Sequence, residues 1–155
     1  MNQQQITIQN ITKMLPLVID INVIISSLLN AGHSLMVFKL NNILEKYQFI
    51  SPQFIMIEFN KHSSEIAKRS RSSIEEITKV IDFIIKQIKI IPDSQFSDKL
   101  DEARKMLNRH LKDAHYLALA LAFNCNIFSG DKIFKKLCPE KVKTPREILD
   151  EFYNQ

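Results

Sequence analysis

Glycine is almost missing from this chain, with 2 in 155 residues, and tryptophan is missing altogether. Dinucleotide and P-loop phosphate sites are built from clustered glycines that let the backbone approach a phosphate. Gly32 and Gly130 cannot form such a cluster, so nucleotide-cofactor enzymes of those two classes are excluded. Cysteine is scarce too. Cys125 and Cys138 carry no spacing signature, so they are expected as reduced thiols in or near the core, with a cytoplasmic location as the default. A membrane span is also lacking: the apolar stretch "LVIDINVIISSLL", Leu17 to Leu29, is shorter than the ~20 residues a bilayer needs and carries Asp20 near its middle. A secretory signal fails as well, because the only base ahead of that stretch is Lys13, behind a polar start, and no small-residue cleavage site follows. No membrane partner is expected. Neither sign of charge dominates: 21 Lys and Arg stand against 17 Asp and Glu, giving a net charge of +4. A sequence pI near 9.1 permits a polyanionic partner without requiring one.

What is present describes one ordinary domain, with 45% hydrophobic and 25% charged residues. Residues 1–14 are expected to be a flexible N-terminal lead and residues 15–153 a single domain. Leu15 to Ile19 reads as a buried strand that delivers Asp20 to the protein surface. A helix from Asn22 to Asn30 follows, with the Ala31-Gly32 pair offering a left-handed exit. Leu35 to Tyr47 is a second helix and Gln48 to Ser51 a short strand. Ser51 as N-cap with Pro52 at the first helical position opens a third helix through about Arg69. Ser73 and Glu76 form a capping box for a helix reaching about Gln87, before the β-branched strand Ile88 to Ile91. Ser97 caps a helix to Leu107. Lys112 to Asn124 is a helix apolar on nearly every side, as a central buried helix should be. The strand Asn126 to Phe128, a short helix from Asp131 to Leu137, the strand Lys141 to Lys143 and a last helix in "TPREILDEF", capped by Thr144 with Pro145 and Glu147 in its first turn, complete the chain. The alternation points to a parallel sheet covered on both faces.

Parallel strands bring the residues just past their ends to one edge of the molecule, where α/β proteins bind ligands. Asp20 follows the first strand, and Asp131 in "IFSGDK" follows the fourth, with Ser129 beside it. Asp113 opens the buried helix in "KDAHYLALALA". Glu58, in "SPQFIMIEFNKH", interrupts an apolar stretch of the third helix. Four carboxylates therefore stand at polar ends or breaks of hydrophobic elements.

In these pieces, and in "VKTPREIL" after them, the chain resembles a PIN-domain nuclease from residue 15 to about 150, and more narrowly the toxin-like, VapC-type ribonucleases. The resemblance implies a three-layer α/β/α sandwich with a central parallel sheet, which holds Mg²⁺ or Mn²⁺ and hydrolyses RNA. It places Asp20, Glu58, Asp113 and Asp131 at the family's catalytic, metal-holding positions and Asn22 and Ser129 at the polar positions beside the first and last. It also implies RNA as substrate, an antitoxin protein as a partner where the chain is a toxin, and a homodimer. One position departs from the pattern: His110 stands where members often carry an acid three residues before the third Asp.

The chemistry suits the residue types. Hard divalent ions held by carboxylate oxygens supply the hydroxide and the charge neutralisation that phosphodiester hydrolysis needs. Each acid also has an ordinary alternative: Asp20 as a helix cap, Asp113 acting only through the helix dipole, Glu58 paired with Lys61 or His62, and Asp131 starting a turn. Lys61 and Lys132, with Lys135 and Lys136, are candidates for contacts to RNA phosphates or members of a solvated face. His115 and His110 are placed near the site, and His62 outside the metal set. A non-catalytic PIN-like module that binds RNA or protein, and a nuclease acting on single-stranded DNA, remain the competing functions.

Overall fold

The computed structural model describes residues 14–30 and 32–154. The expected lead, residues 1–14, lies outside the described residues apart from Met14. Five strands, β1 (Leu15–Ile19), β2 (Tyr47–Pro52), β3 (Ile88–Ile91), β4 (Asn126–Phe128) and β5 (Val142–Lys143), form one sheet in the order β3-β2-β1-β4-β5. Every pairing is parallel. A central strand with neighbours on both sides and helices on both faces must be apolar throughout. Accordingly Leu17, Val18 and Ile19 are all fully buried.

Among the described residues eight α-helices connect and cover the strands: α1 (Ile21–Leu29), α2 (His33–Leu44), α3 (Phe54–Arg69), α4 (Ile74–Ile85), α5 (Leu100–Leu107), α6 (Ala114–Phe123), α7 (Lys132–Leu137) and α8 (Pro145–Tyr153). Right-handed crossovers that step from β1 to β2 to β3 leave their helices on one face, and those that return to β4 and β5 leave theirs on the other. Thus α1 packs against α2, α3 and α4, with α8 against α2, while α6 lies across β1, β2 and β4 with α5 beside it. This is the expected α/β/α sandwich. Ala114 and every residue from Tyr116 to Ala120 are buried, so α6 is the central helix that its all-round apolar sequence predicts.

Local chemistry sets several boundaries as expected. Ser73 accepts a hydrogen bond from the Glu76 amide and Thr144 one from the Glu147 amide, which fix the starts of α4 and α8. Elsewhere tertiary pairing overrides the local signal. Ser51 and Pro52 do not open a helix; they are the last residues of β2, paired with Ile90 and Ile91 of β3. The Ser51 hydroxyl donates to the Ile19 carbonyl at 2.9 Å, tying β2 to β1. The second helix stops at Leu44, and Tyr47 starts β2, because the buried Asn41 side chain exchanges two hydrogen bonds with the Tyr47 backbone at 2.9 and 3.0 Å. Gly32 makes no left-handed exit: its φ of −110° is extended, and it serves as N-cap of α2. The helix expected from Ser97 begins as a 3₁₀ turn, Ser97–Lys99, and the one expected from Lys112 follows another, Leu111–Asp113.

Candidate active site

The connections leaving β1 and β4 run to opposite sides, so a crevice opens where the C-terminal ends of these adjacent strands meet. Asp20 is the first residue past β1. Its amide continues the ladder by donating to the Phe128 carbonyl at 3.2 Å, and its side chain is only 3% exposed. Although Asp20 stands at the N-cap position of α1, its carboxylate makes no capping bond. Oδ2 instead accepts from the buried Ser129 hydroxyl at 2.7 Å. Ser129 Oγ in turn accepts from the Asn22 side-chain amide at 3.3 Å and from the Asp131 amide at 3.1 Å. Asn22 Oδ1 accepts from the Gly130 amide at 3.1 Å. Asn22 and Ser129 thus lock the segment after β1 to the segment after β4.

Asp113 enters from the 3₁₀ turn ahead of α6. It occupies the N-cap position without making a capping bond, is 4% exposed, and its Oδ2 is buried with no hydrogen-bond partner. A buried oxygen left unmatched is costly, and a role through the helix dipole alone gives no reason to bury it without a donor. Asp131 does fill its ordinary role: Oδ1 accepts from the Ile133 and Phe134 amides at 2.9 and 3.1 Å and caps α7. Its Oδ2 takes the Lys112 ammonium at 3.1 Å. Glu58 on α3 is half-buried and accepts from the Tyr116 hydroxyl at 2.6 Å, while its expected helix partner His62 pairs with Glu65.

The electrostatics couple the four acids. Burial raises Asp20 from an ordinary 3.8 to about 6; the Ser129 bond and the nearby Asn22 backbone amide oppose this, and the charges of Glu58 and Asp131 add to it. Burial, then the charge of Asp20, raise Asp113 to about 7, partly offset by Lys112. Asp131 behaves oppositely. Its partial burial pulls upward, but the Phe134 amide, the Lys112 ammonium and the Ile133 amide together hold it below the usual carboxylate range. Burial, the Asp20 charge and the bond to Glu58 keep the Tyr116 hydroxyl protonated.

Two residues of this edge, Lys112 and Tyr116, escape the sequence reading. Both lie within three positions of Asp113, and Tyr116 stands with His115 at the polar start of an otherwise apolar helix. Lys132 and Lys61 are exposed on α7 and α3. Lys135 is not available to a ligand as expected; it is held by the Val142 carbonyl at 2.7 Å and by Glu147, joining α7 to β5 and α8. His110 is exposed. His115 stacks on Phe54, with ring centroids 4.6 Å apart, and presents an edge to Phe96.

The donor set suits a hard divalent cation: all four acids offer carboxylate oxygens, two of them are buried, and Asp113 Oδ2 lacks a partner. Among the described residues no three His, Cys, Asp or Glu side chains already converge on one point. Glu58 and Asp131 are turned to Tyr116 and Lys112. No single helix among the described residues is long and apolar enough to cross a membrane. A comparison with curated protein sequences finds no match. The family model of the PIN domain matches residues 18–151, which take in all four carboxylates and the whole of the edge just described, and the chain therefore belongs to the PIN-domain family, a nuclease fold whose members generally depend on divalent metals.

Proposed function

We propose that the chain is a metal-dependent endoribonuclease in which Asp20, Glu58, Asp113 and Asp131 hold Mg²⁺ or Mn²⁺ at the switch point. The observation that carries this reading is the pair of buried acids, Asp20 and Asp113, both pushed above the ordinary carboxylate range by burial, Asp113 also by the Asp20 charge, with one Asp113 oxygen left bare. A structural carboxylate would be matched by donors; a site for a cation holds charge in reserve. A divalent ion there supplies positive charge at the scissile phosphate and makes water easier to ionise near neutral pH. Ser129 and Asn22 hold Asp20 in place, Tyr116 orients Glu58, and the exposed Lys61 and Lys132 contact backbone phosphates on either side of the crevice.

The finer reading is a VapC-type toxin with an antitoxin protein as partner and a homodimeric state, in the cytoplasm. Family membership supports it, as do the exposed apolar side chains Met56, Ile57, Ile85 and Ile90 near a groove of about 230 Å³ between α1, α3, α4 and β3. A second reading, the non-catalytic binding module, is favoured by the engagement of Glu58 and Asp131 with Tyr116 and Lys112. Incubation with mixed RNAs and with single-stranded DNA, in Mn²⁺, in Mg²⁺ and in a chelator, decides between them. Cleavage of RNA with metal alone supports the nuclease. Binding of RNA without cleavage in either metal supports the module, and cleavage restricted to DNA replaces the substrate.

A further inference from the structure

Resting on the reading of Asp131 as part of a cation site, we propose that Lys112 is a tethered counter-cation of that site, which shares Asp131 with the incoming divalent ion and weakens the protein's affinity for it. Among the described residues Lys112 is the one basic side chain that forms an ion pair with any of the four acids. The geometry at Asp131 shows which contact can be exchanged. Oδ1 is committed to two backbone amides, and releasing it would uncap α7. Oδ2 is held only by the Lys112 ammonium, at 3.1 Å. The Lys112 side chain is 62% exposed and that of Asp131 15%, so the lysine reaches in from solvent on a flexible stem and can withdraw without opening a cavity.

Position along the chain strengthens the case. Lys112 is the residue before Asp113, and its ammonium feels the charges of Asp131, Asp113 and Asp20 together. A single positive charge held there offsets part of the repulsion among the acids in the absence of metal. A divalent ion arriving at the same oxygens meets a like charge a few ångströms away, which subtracts from its binding. The structure of the edge therefore contains its own weak competitor.

The test is titration of the 155-residue chain with Mn²⁺ by calorimetry at fixed salt and pH, for the wild type, Lys112→Met, Lys112→Arg and Asp20→Asn, each verified as folded by circular dichroism. Lys112→Met is expected to bind Mn²⁺ roughly three- to tenfold more tightly, and Lys112→Arg to stay within about twofold of the wild type. Lys112→Gln repeats the neutral case if the Met variant does not fold. Unchanged or weaker binding in the neutral variants, or equal tightening in Lys112→Arg, overturns the role of Lys112. If that happens while Asp20→Asn still abolishes binding, the metal site stands and only the counter-cation falls. If Mn²⁺ binding is untouched by Asp20→Asn, or if neither the wild type nor the neutral variants bind Mn²⁺, the metal site itself is overturned.

Discussion

The two ends of the sheet treat their acids in opposite ways. Beside the N-terminal ends of β1 and β2, Glu151 of α8 accepts from the Tyr47 hydroxyl and from the ammonium of Lys143, whose side chain reaches back from the end of β5, and the Lys46 ammonium donates to the Glu151 carbonyl at 3.1 Å. Lys46 also lies over the Tyr47 and Phe152 rings, at 5.7 and 5.9 Å from their centroids. At the C-terminal ends, Asp113 keeps a bare buried oxygen, and Asp20 has the Ser129 hydroxyl and the nearby Asn22 amide but no cation for its charge. One end spends its polar groups on cohesion; the other withholds matching donors from its acids. A fold that satisfies Glu151 so fully has no general difficulty in pairing carboxylates, so the deficit at Asp113 marks a place kept for something else.

The most drastic way to break this comparison is to remove a charge from the deficient end. Asp20→Asn should lower RNA cleavage on the order of 10²- to 10³-fold, because a carboxylate that holds the metal acts on charge in the transition state. Melting in chelator should show a fold at least as stable as the wild type, since the amide lacks the charge that burial penalises. Wild-type cleavage by this variant would move the site elsewhere.

The next effect concerns pH. Asp20 and Asp113 titrate at about 6 and about 7 in the folded protein against 3.8 when unstructured, so between these values the folded state binds more protons than the unfolded. Stability then falls as pH rises. In chelator the stability these two groups allow should be fullest below pH 4 and decline through pH 7, by several kcal/mol, levelling above pH 8. Asp131 and Glu147, held below the usual range, contribute in the opposite direction but only at more acidic pH. Mn²⁺ at 100 times its dissociation constant should return about 2.7 kcal/mol at pH 7.5. Chemical denaturation across pH, with and without Mn²⁺, measures both; a profile flat from pH 4 to 8 contradicts the burial of ionised acids.

At the satisfied end the expected result is reversed. Glu151→Gln should lower stability by about 1 to 2 kcal/mol, because the Tyr47 hydroxyl and Lys143 lose a charged acceptor. Cleavage per folded molecule should be unchanged. If this variant loses activity without losing stability, the two ends are not separate in function.

The contrast between the ends was only half legible in the sequence. Asp20 stood out because β1 is apolar on both faces, so any charge at its end is conspicuous. The caps Ser73 and Thr144 were legible because a capping bond spans three residues and needs no other part of the fold. Asp131 looked ambiguous and is so, serving as cap and ion-pair partner at once. What was not legible depends on distant pairing. Ser51-Pro52 has the local chemistry of a helix start, yet the pairing with β3 outweighs it. Glu58 meets Tyr116 across 58 positions and Asp131 meets Lys112 across 19, contacts that exist only once β1, β4 and α6 are assembled.

The smallest effect belongs to Tyr116, and it tests whether the deficient end is arranged or merely crowded. Tyr116→Phe removes one hydroxyl from a fully buried ring and leaves the packing of α6 as it was. Glu58 is half-buried, so water can replace the lost donor, and stability should change by no more than about 1 kcal/mol. A purely structural hydroxyl would produce no other consequence. If the bond holds Glu58 in position toward the cation, the freed carboxylate samples several rotamers and must be ordered again when the ion binds, which should weaken Mn²⁺ affinity by roughly two- to fivefold. Calorimetric titration beside thermal melting separates the two outcomes: weaker Mn²⁺ binding with a nearly unchanged melting temperature assigns Tyr116 to the positioning of Glu58, and unchanged Mn²⁺ binding leaves Tyr116 as part of the core alone.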